Sequence, residues 1–144
     1  MPYEFKVVRR VEFSDTDMAG LMHFSNYFRF METAEHGFYR ELGFSVVLKE
    51  RTPPLGFPRV HASCDFMKPL RFEDQIEIRL RVTEKKSKSL TYAFQFFNLS
   101  ARPVVEAARG VVTIVCVSHA SDGKLAAVPI PREIAEKIEV APPG

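Results

Sequence analysis

The stretch from Phe13 to Leu42, FSDTDMAGLMHFSNYFRFMETAEHGFYREL, decides how this chain folds. Two acids one residue apart, Asp15 and Asp17, lead through Gly20 into an aromatic-rich segment. Asn26 has the side chain of a helix N-cap and Gly43 that of a C′ residue, so the spacing predicts a helix from roughly Tyr27 to Leu42. At 3.6 residues per turn, Tyr27, Phe28, Phe30, Met31, Ala34, Phe38 and Leu42 share a wide apolar face, with Arg29, Glu32, His36 and Arg40 opposite. A face that broad is expected to be cradled by a sheet.

Outward from the helix the pattern changes to strands. Upstream, Phe5, Val7, Val11 and Phe13 alternate with Lys6, Arg10 and Glu12, the signature of a strand with one solvated side. Downstream, residues 44–59 carry Pro53, Pro54, Gly56 and Pro58 among apolar residues and read as a covering loop. Four strand candidates follow, at about 60–67, 75–83, 90–99 and 104–118. Ile76, Ile78, Leu80 and Val82 alternate cleanly with Glu77, Arg79 and Arg81. Gly110 suggests a bulge or bend in the last strand. Asp122-Gly123 marks a turn, and a short helix is expected over 131–138 with Pro131 near its start. One strand, one long helix and four consecutive strands make an α+β domain, with successive strands expected as antiparallel neighbours around the helix.

With 144 residues and no internal repeat or linker, the chain is expected to form a single domain over 1–144. A composition 46% hydrophobic and 26% charged argues against disorder. The net charge of +2 is too small to argue for nucleic acid or an anionic membrane as partner. No apolar run approaches the ~18 residues of a membrane span, and the N-terminus shows no apolar secretion core, so the expected location is the cytoplasm. There Cys64 and Cys116, both in strand-like runs, are expected as reduced thiols. Thirteen phenylalanines point to a core or pocket with flat apolar walls.

The chain resembles the hotdog-fold acyl-CoA thioesterases, specifically the 4-hydroxybenzoyl-CoA thioesterase-like group. Three segments carry the resemblance in order: FSDTDMAGLMHFSNY, with Asp15, Asp17, Gly20 and Tyr27; HASCDFMKPLRFEDQIEI, with Phe66, Pro69 and Asp74; and DGKLAAVPIP near the end. The resemblance implies a hotdog fold, an antiparallel sheet wrapped around one long helix. It also implies edge-to-edge homodimers, often dimers of dimers (a homotetramer), with active sites between subunits. Unpaired sheet edges make such pairing physically reasonable. The substrate it implies is an acyl-CoA, hydrolysed to free acid and coenzyme A.

Thioester hydrolysis needs a carboxylate or an activated water at the carbonyl carbon and a donor aimed at the oxygen that becomes negative. A helix N-terminus offers free N–H groups and partial positive charge for that oxygen. On spacing alone, Asp15 and Asp17 equally suit a turn in which their side chains cap backbone amides. The resemblance assigns Asp17 as nucleophile or general base and the backbone amide of Phe24 as the donor, leaving Asp15 structural. It places Gly20, His23, Asn26 and Tyr27 around the substrate. Another branch of the family carries a histidine where Phe24 stands here, and the histidine of this chain falls one place earlier, at His23.

Lys85, Lys86 and Lys88 sit in a turn that reads as a solvated hairpin, and in similar thioesterases that turn lies near the nucleotide of coenzyme A. Glu32 and His36 stand four residues apart on the polar helix face and read as a solvated or subunit-contact pair. His61 and Asp65 share a strand face without further ligands at suitable spacing, so no metal is expected, and no cofactor. Two alternatives remain: a thioesterase acting on acyl groups of a carrier protein, and a non-catalytic hotdog module that binds acyl-CoA.

Overall fold

The strict alternation of β4 (Gln75–Lys85) and β5 (Ser89–Asn98) buries every second residue, and these two strands set the plane of the main sheet. The computed structural model describes residues 2–48, 51, 53–120 and 122–143. Five strands form that sheet in the order β1-β4-β5-β6-β3, all antiparallel, with β1 at Glu4–Arg10, β6 at Val105–Val115 and β3 at Arg59–Phe66. A smaller sheet joins β2 (Leu55–Gly56), β7 (Val117–His119) and β8 (Leu125–Ala127) in the order β2-β7-β8. The long helix α1 spans Ser25–Glu41, and a short helix α2 spans Arg132–Ala135. Among the described residues no helix is long and apolar enough to cross a membrane.

The expected sheet around one long helix is observed. Ile76, Ile78, Leu80, Tyr92, Phe94 and Phe96 line its inner face, and Phe30, Met31, Ala34, Phe38 and Tyr39 of α1 bury against it. Burial of that apolar surface, at about 25 cal/mol per Å², is what holds helix to sheet. At its C-terminus α1 closes with Gly43 at φ +91°, whose N–H donates to Arg40 O (3.0 Å) while the Phe44 N–H donates to Tyr39 O (2.8 Å). This is the Schellman arrangement that the position of Gly43 predicts.

Four expectations need correction. The helix begins two residues early, with Phe24 as N-cap, because Asn26 spends its side chain on another task described below. β1 ends at Arg10, so Phe13 enters a 3-10 turn and is 77% exposed; the inward place at the end of the strand goes to Arg9, whose guanidinium lies 4.1 Å over the Phe30 ring. Successive strands are not all neighbours: β3 pairs with β6 at the sheet edge, and the chain crosses to the far side of β5 before starting β4. Gly110 is regularly paired, facing Phe94 and Cys64, and the register shift in β5–β6 falls instead between Phe96 and Phe97. Met31 fills the space a side chain at 110 would need, so close helix–sheet approach explains this glycine.

Candidate active site

The loop from Val11 to Phe24 is fixed by backbone bonds at both ends. The Val11 N–H donates to Asp74 O at 2.8 Å and the Met22 N–H to Leu70 O at 2.7 Å, so the loop is stitched to the segment entering β4. Within it, Asp15 closes the 3-10 turn by accepting the Glu12 N–H on Oδ2 at 2.8 Å. The Asp15 carbonyl then accepts both the His23 N–H and the Asn26 side-chain amide, each at 2.8 Å. Asp15 and buried Asn26 thus anchor the loop to the helix.

Asp17 sits at the head of a tight turn. Its N–H donates to Leu21 O at 2.8 Å and its carbonyl accepts the Gly20 N–H at 3.0 Å, with Gly20 at φ +80° where a β-carbon is unfavourable. Oδ1 accepts the N–H groups of Ala19 (2.9 Å) and Leu21 (3.2 Å). Oδ2 accepts no hydrogen bond among the described residues. The turn-capping role and a chemical role therefore fall on different oxygens of one carboxylate.

At the start of α1 the Asn26 N–H donates to His23 O and the Ser25 N–H to His23 Nδ1, while the Phe24 N–H meets no acceptor among the described residues. It is a helix-terminal donor of the kind that stabilises a developing oxyanion. Asp17, Phe24 and Tyr27 line one open cavity of about 320 Å³, together with Phe66, Lys68 and Pro69 among others. Tyr27 meets Phe66 edge-on, with centroids 4.8 Å apart. Burial, with Cys64 adding to it, pushes the Tyr27 phenol up to about 12, so it stays neutral and able to donate.

The other expected residues do not line this cavity. Gly20 shapes the turn. The His23 ring stacks on Phe24 and bonds Ser25 Oγ at 2.8 Å. Asn26 is buried with its side-chain amide on the Asp15 carbonyl. Lys85, Lys86 and Lys88 lie at the opposite end of β4, an eleven-residue strand of about 33 Å. Lys85 Nζ there donates to Ala135 O and Ile138 O, both at 2.8 Å, and Lys86 pairs with Glu84. The lysine turn and the Asp17 cavity of one chain do not meet.

A second cavity of about 230 Å³ lies under the middle of α1, and the residue pattern alone gave no notice of it. Phe28, Met31, Phe94 and Val112 supply apolar walls; Glu35, Arg59 and Tyr92 supply the polar ones. Glu35 is 1% exposed and pairs with Arg59, while the Tyr92 hydroxyl bonds that of Tyr39 at 2.8 Å. Burial holds the Tyr92 phenol well above its ordinary range. The available signal was Glu35 itself, an acid between Ala34 and Phe38 on the apolar helix face.

The chain matches the thioesterase-like superfamily over residues 11–138. It is 31% identical over 142 residues to the 1,4-dihydroxy-2-naphthoyl-CoA hydrolase of Nostoc punctiforme, covering 94% of this chain and 86% of that one. A solved gentisyl-coenzyme A thioesterase is 35% identical and superposes with a TM-score of 0.75, over 90% of this chain and 98% of the other. The 4-hydroxybenzoyl-CoA thioesterase from Pseudomonas sp. strain CBS-3 shares the fold, with TM-score 0.83 at 21% identity, over 94% of this chain and 99% of that one.

Proposed function

The chain belongs to the thioesterase-like superfamily, and from that membership we propose that it is an acyl-CoA thioesterase releasing free acid and coenzyme A. The observation that carries this reading is one cavity lined by both Asp17, with an unengaged Oδ2, and Phe24, with an unengaged N–H. The thioester carbonyl oxygen accepts the Phe24 N–H, which stabilises the charge that develops there. Asp17 Oδ2 acts on the carbonyl carbon, either by attacking it or by taking a proton from the water that does. In both routes the C–S bond breaks and coenzyme A leaves as the thiol.

In this reading residues 1–144 are one catalytic domain that works in the cytoplasm as a homodimer or dimer of dimers. What supports the pairing is β3, which among the described residues pairs with β6 alone and is exposed at seven of its eight positions. An antiparallel pairing of β3 with its copy reverses the direction of the partner sheet, bringing the partner's lysine turn to the Asp17 end of the first chain. Lys86 and Lys88 then serve the nucleotide from the partner, whereas Lys85 is occupied by carbonyls. The test is thiol release by purified protein across a panel of acyl-CoA esters. Turnover of at least one ester supports the reading, and none for any ester overturns it.

A further inference from the structure

Thioester cleavage places negative charge on two atoms in turn. The carbonyl oxygen carries it first, facing the Phe24 N–H. When the C–S bond breaks, the electron pair stays on sulfur, and a cation fixed beside that sulfur stabilises the step. Among the described residues that line the Asp17 cavity, Lys68 is the one charged side chain besides Asp17 itself. The other walls are apolar or, at Tyr27, a neutral phenol.

Lys68 stands on a fixed stretch of chain just after β3. Its N–H and that of Met67 both donate to Ala107 O, at 3.0 and 2.9 Å, and Pro69 restricts the backbone behind it. The next residue, Leu70, is fully buried, and its carbonyl accepts the Met22 N–H at 2.7 Å, which ties this stretch to the loop carrying Asp17. Among the described residues the Lys68 ammonium pairs with no carboxylate, Asp17 included. Two opposite charges thus share a cavity of about 320 Å³ without closing on each other. The cavity also has a direction, since Tyr27 is 3% exposed and marks its inner end, whereas Lys68 is exposed and marks its mouth. The pantetheine arm of coenzyme A has to leave through the mouth. The sulfur at the head of that arm therefore lies on the Lys68 side of the carbonyl.

Resting on the thioesterase reading above, we propose that Lys68 is a catalytic residue whose ammonium contacts the thioester sulfur and stabilises the thiolate as coenzyme A departs. When Asp17 attacks, its Oδ2 forms the new C–O bond and the C–S pair goes to sulfur. Water then opens the acyl–Asp17 anhydride to free acid and carboxylate. In this route Asp17 has no proton to give, so Lys68 is the sole counterion for the sulfur among the described lining residues, and the thiolate takes its proton from solvent. When water attacks instead, Asp17 takes its proton, the C–S pair again goes to sulfur, and that proton then neutralises the thiolate. Ammonium groups hold their protons more tightly than thiols do, so in both routes Lys68 acts by its charge and keeps its proton.

The experiment measures wild type, Lys68→Met, Lys68→Gln and Lys68→Arg on three thioesters of the acyl group that turns over best. Their leaving groups are coenzyme A, pantetheine and thiophenol, whose thiolate departs readily without help. Thermal unfolding accompanies the rates, and because Lys68 is exposed all three variants are expected to fold. The Met and Gln variants are expected to lose about ten- to a hundredfold in kcat on the CoA and pantetheine esters alike, with KM changed less than about twofold. On the thiophenyl ester the expected loss is under about threefold, because little charge stabilisation is then needed at sulfur. Lys68→Arg keeps the cation and is expected to recover most of the rate. Equal losses on all three esters would make Lys68 structural, and a KM rise confined to the CoA ester would make it a phosphate ligand. Either result, or rates unchanged by the substitutions, overturns the proposal and leaves the thioesterase reading standing. A wild type that releases thiol from no ester removes that reading, and this proposal with it.

Discussion

The side-chain amide of Asn26 donates to the main-chain carbonyl of Asp15 at 2.8 Å, tying the first turn of α1 to the loop that carries Asp17. This bond lies on the path that links the proposed carboxylate to the Phe24 amide. Asn26→Ala is expected to cost about 0.5–1.5 kcal/mol of stability by removing one of the two donors to the part-buried Asp15 carbonyl. It should also lower kcat by roughly ten- to a hundredfold. Thermal unfolding and steady-state kinetics measure the two effects, and an unchanged kcat would free Asn26 from any positioning role.

Two glycines carry separable structural tasks. Gly110→Ala places a methyl group where Met31 packs and should destabilise by about 1–3 kcal/mol. Gly43→Ala has open space around it, so its cost of about 1–2 kcal/mol comes from the left-handed backbone alone. Denaturant titration of the double variant is expected to show additive losses, as the sites share no partner.

Coenzyme A differs from pantetheine by its nucleotide. Lys86→Ala is therefore expected to raise KM for a CoA ester several-fold and leave that of the matching pantetheine thioester unchanged, with the effect fading as salt screens the phosphates. Equal changes for both esters would remove the lysine turn from the nucleotide site.

The Cys64 thiol is pushed up to about 11, first by burial and then by the nearby Asp65 charge. Since the thiolate is the reactive form, alkylation by iodoacetamide at pH 8 should be slower than for a free thiol and should accelerate as pH rises towards 11. A fast reaction at pH 8 would mean that the thiol is ionised far more readily than its surroundings allow.

Local rules made much of the fold legible before any coordinates. The alternation of β4, the apolar face of α1 and the C′ position of Gly43 are near-neighbour patterns that sequence records directly. Strand order is not such a pattern: nothing in residues 60–67 announces that β3 will sit beside β6 while β4 starts across the sheet. Asn26 misled because the same amide that caps helices can bond a carbonyl eleven residues away. Within the candidate site, the structure puts Asp17, Phe24 and Tyr27 on one cavity. Glu35 escaped notice because its charge argues for solvent while its helical position argues for the core. The partner that reconciles the two, Arg59, lies 24 residues away.

The central claim is that Asp17 performs the chemistry while also holding its turn. Asp17→Asn keeps a side-chain oxygen that can cap Ala19 and Leu21 but removes the negative charge. The decisive measurement is thiol release by wild type and Asp17→Asn on the best acyl-CoA ester, with matched thermal unfolding of both proteins. The expected result is a loss of about a hundredfold or more in kcat with little change in stability. A variant that turns over at the wild-type rate would contradict the account.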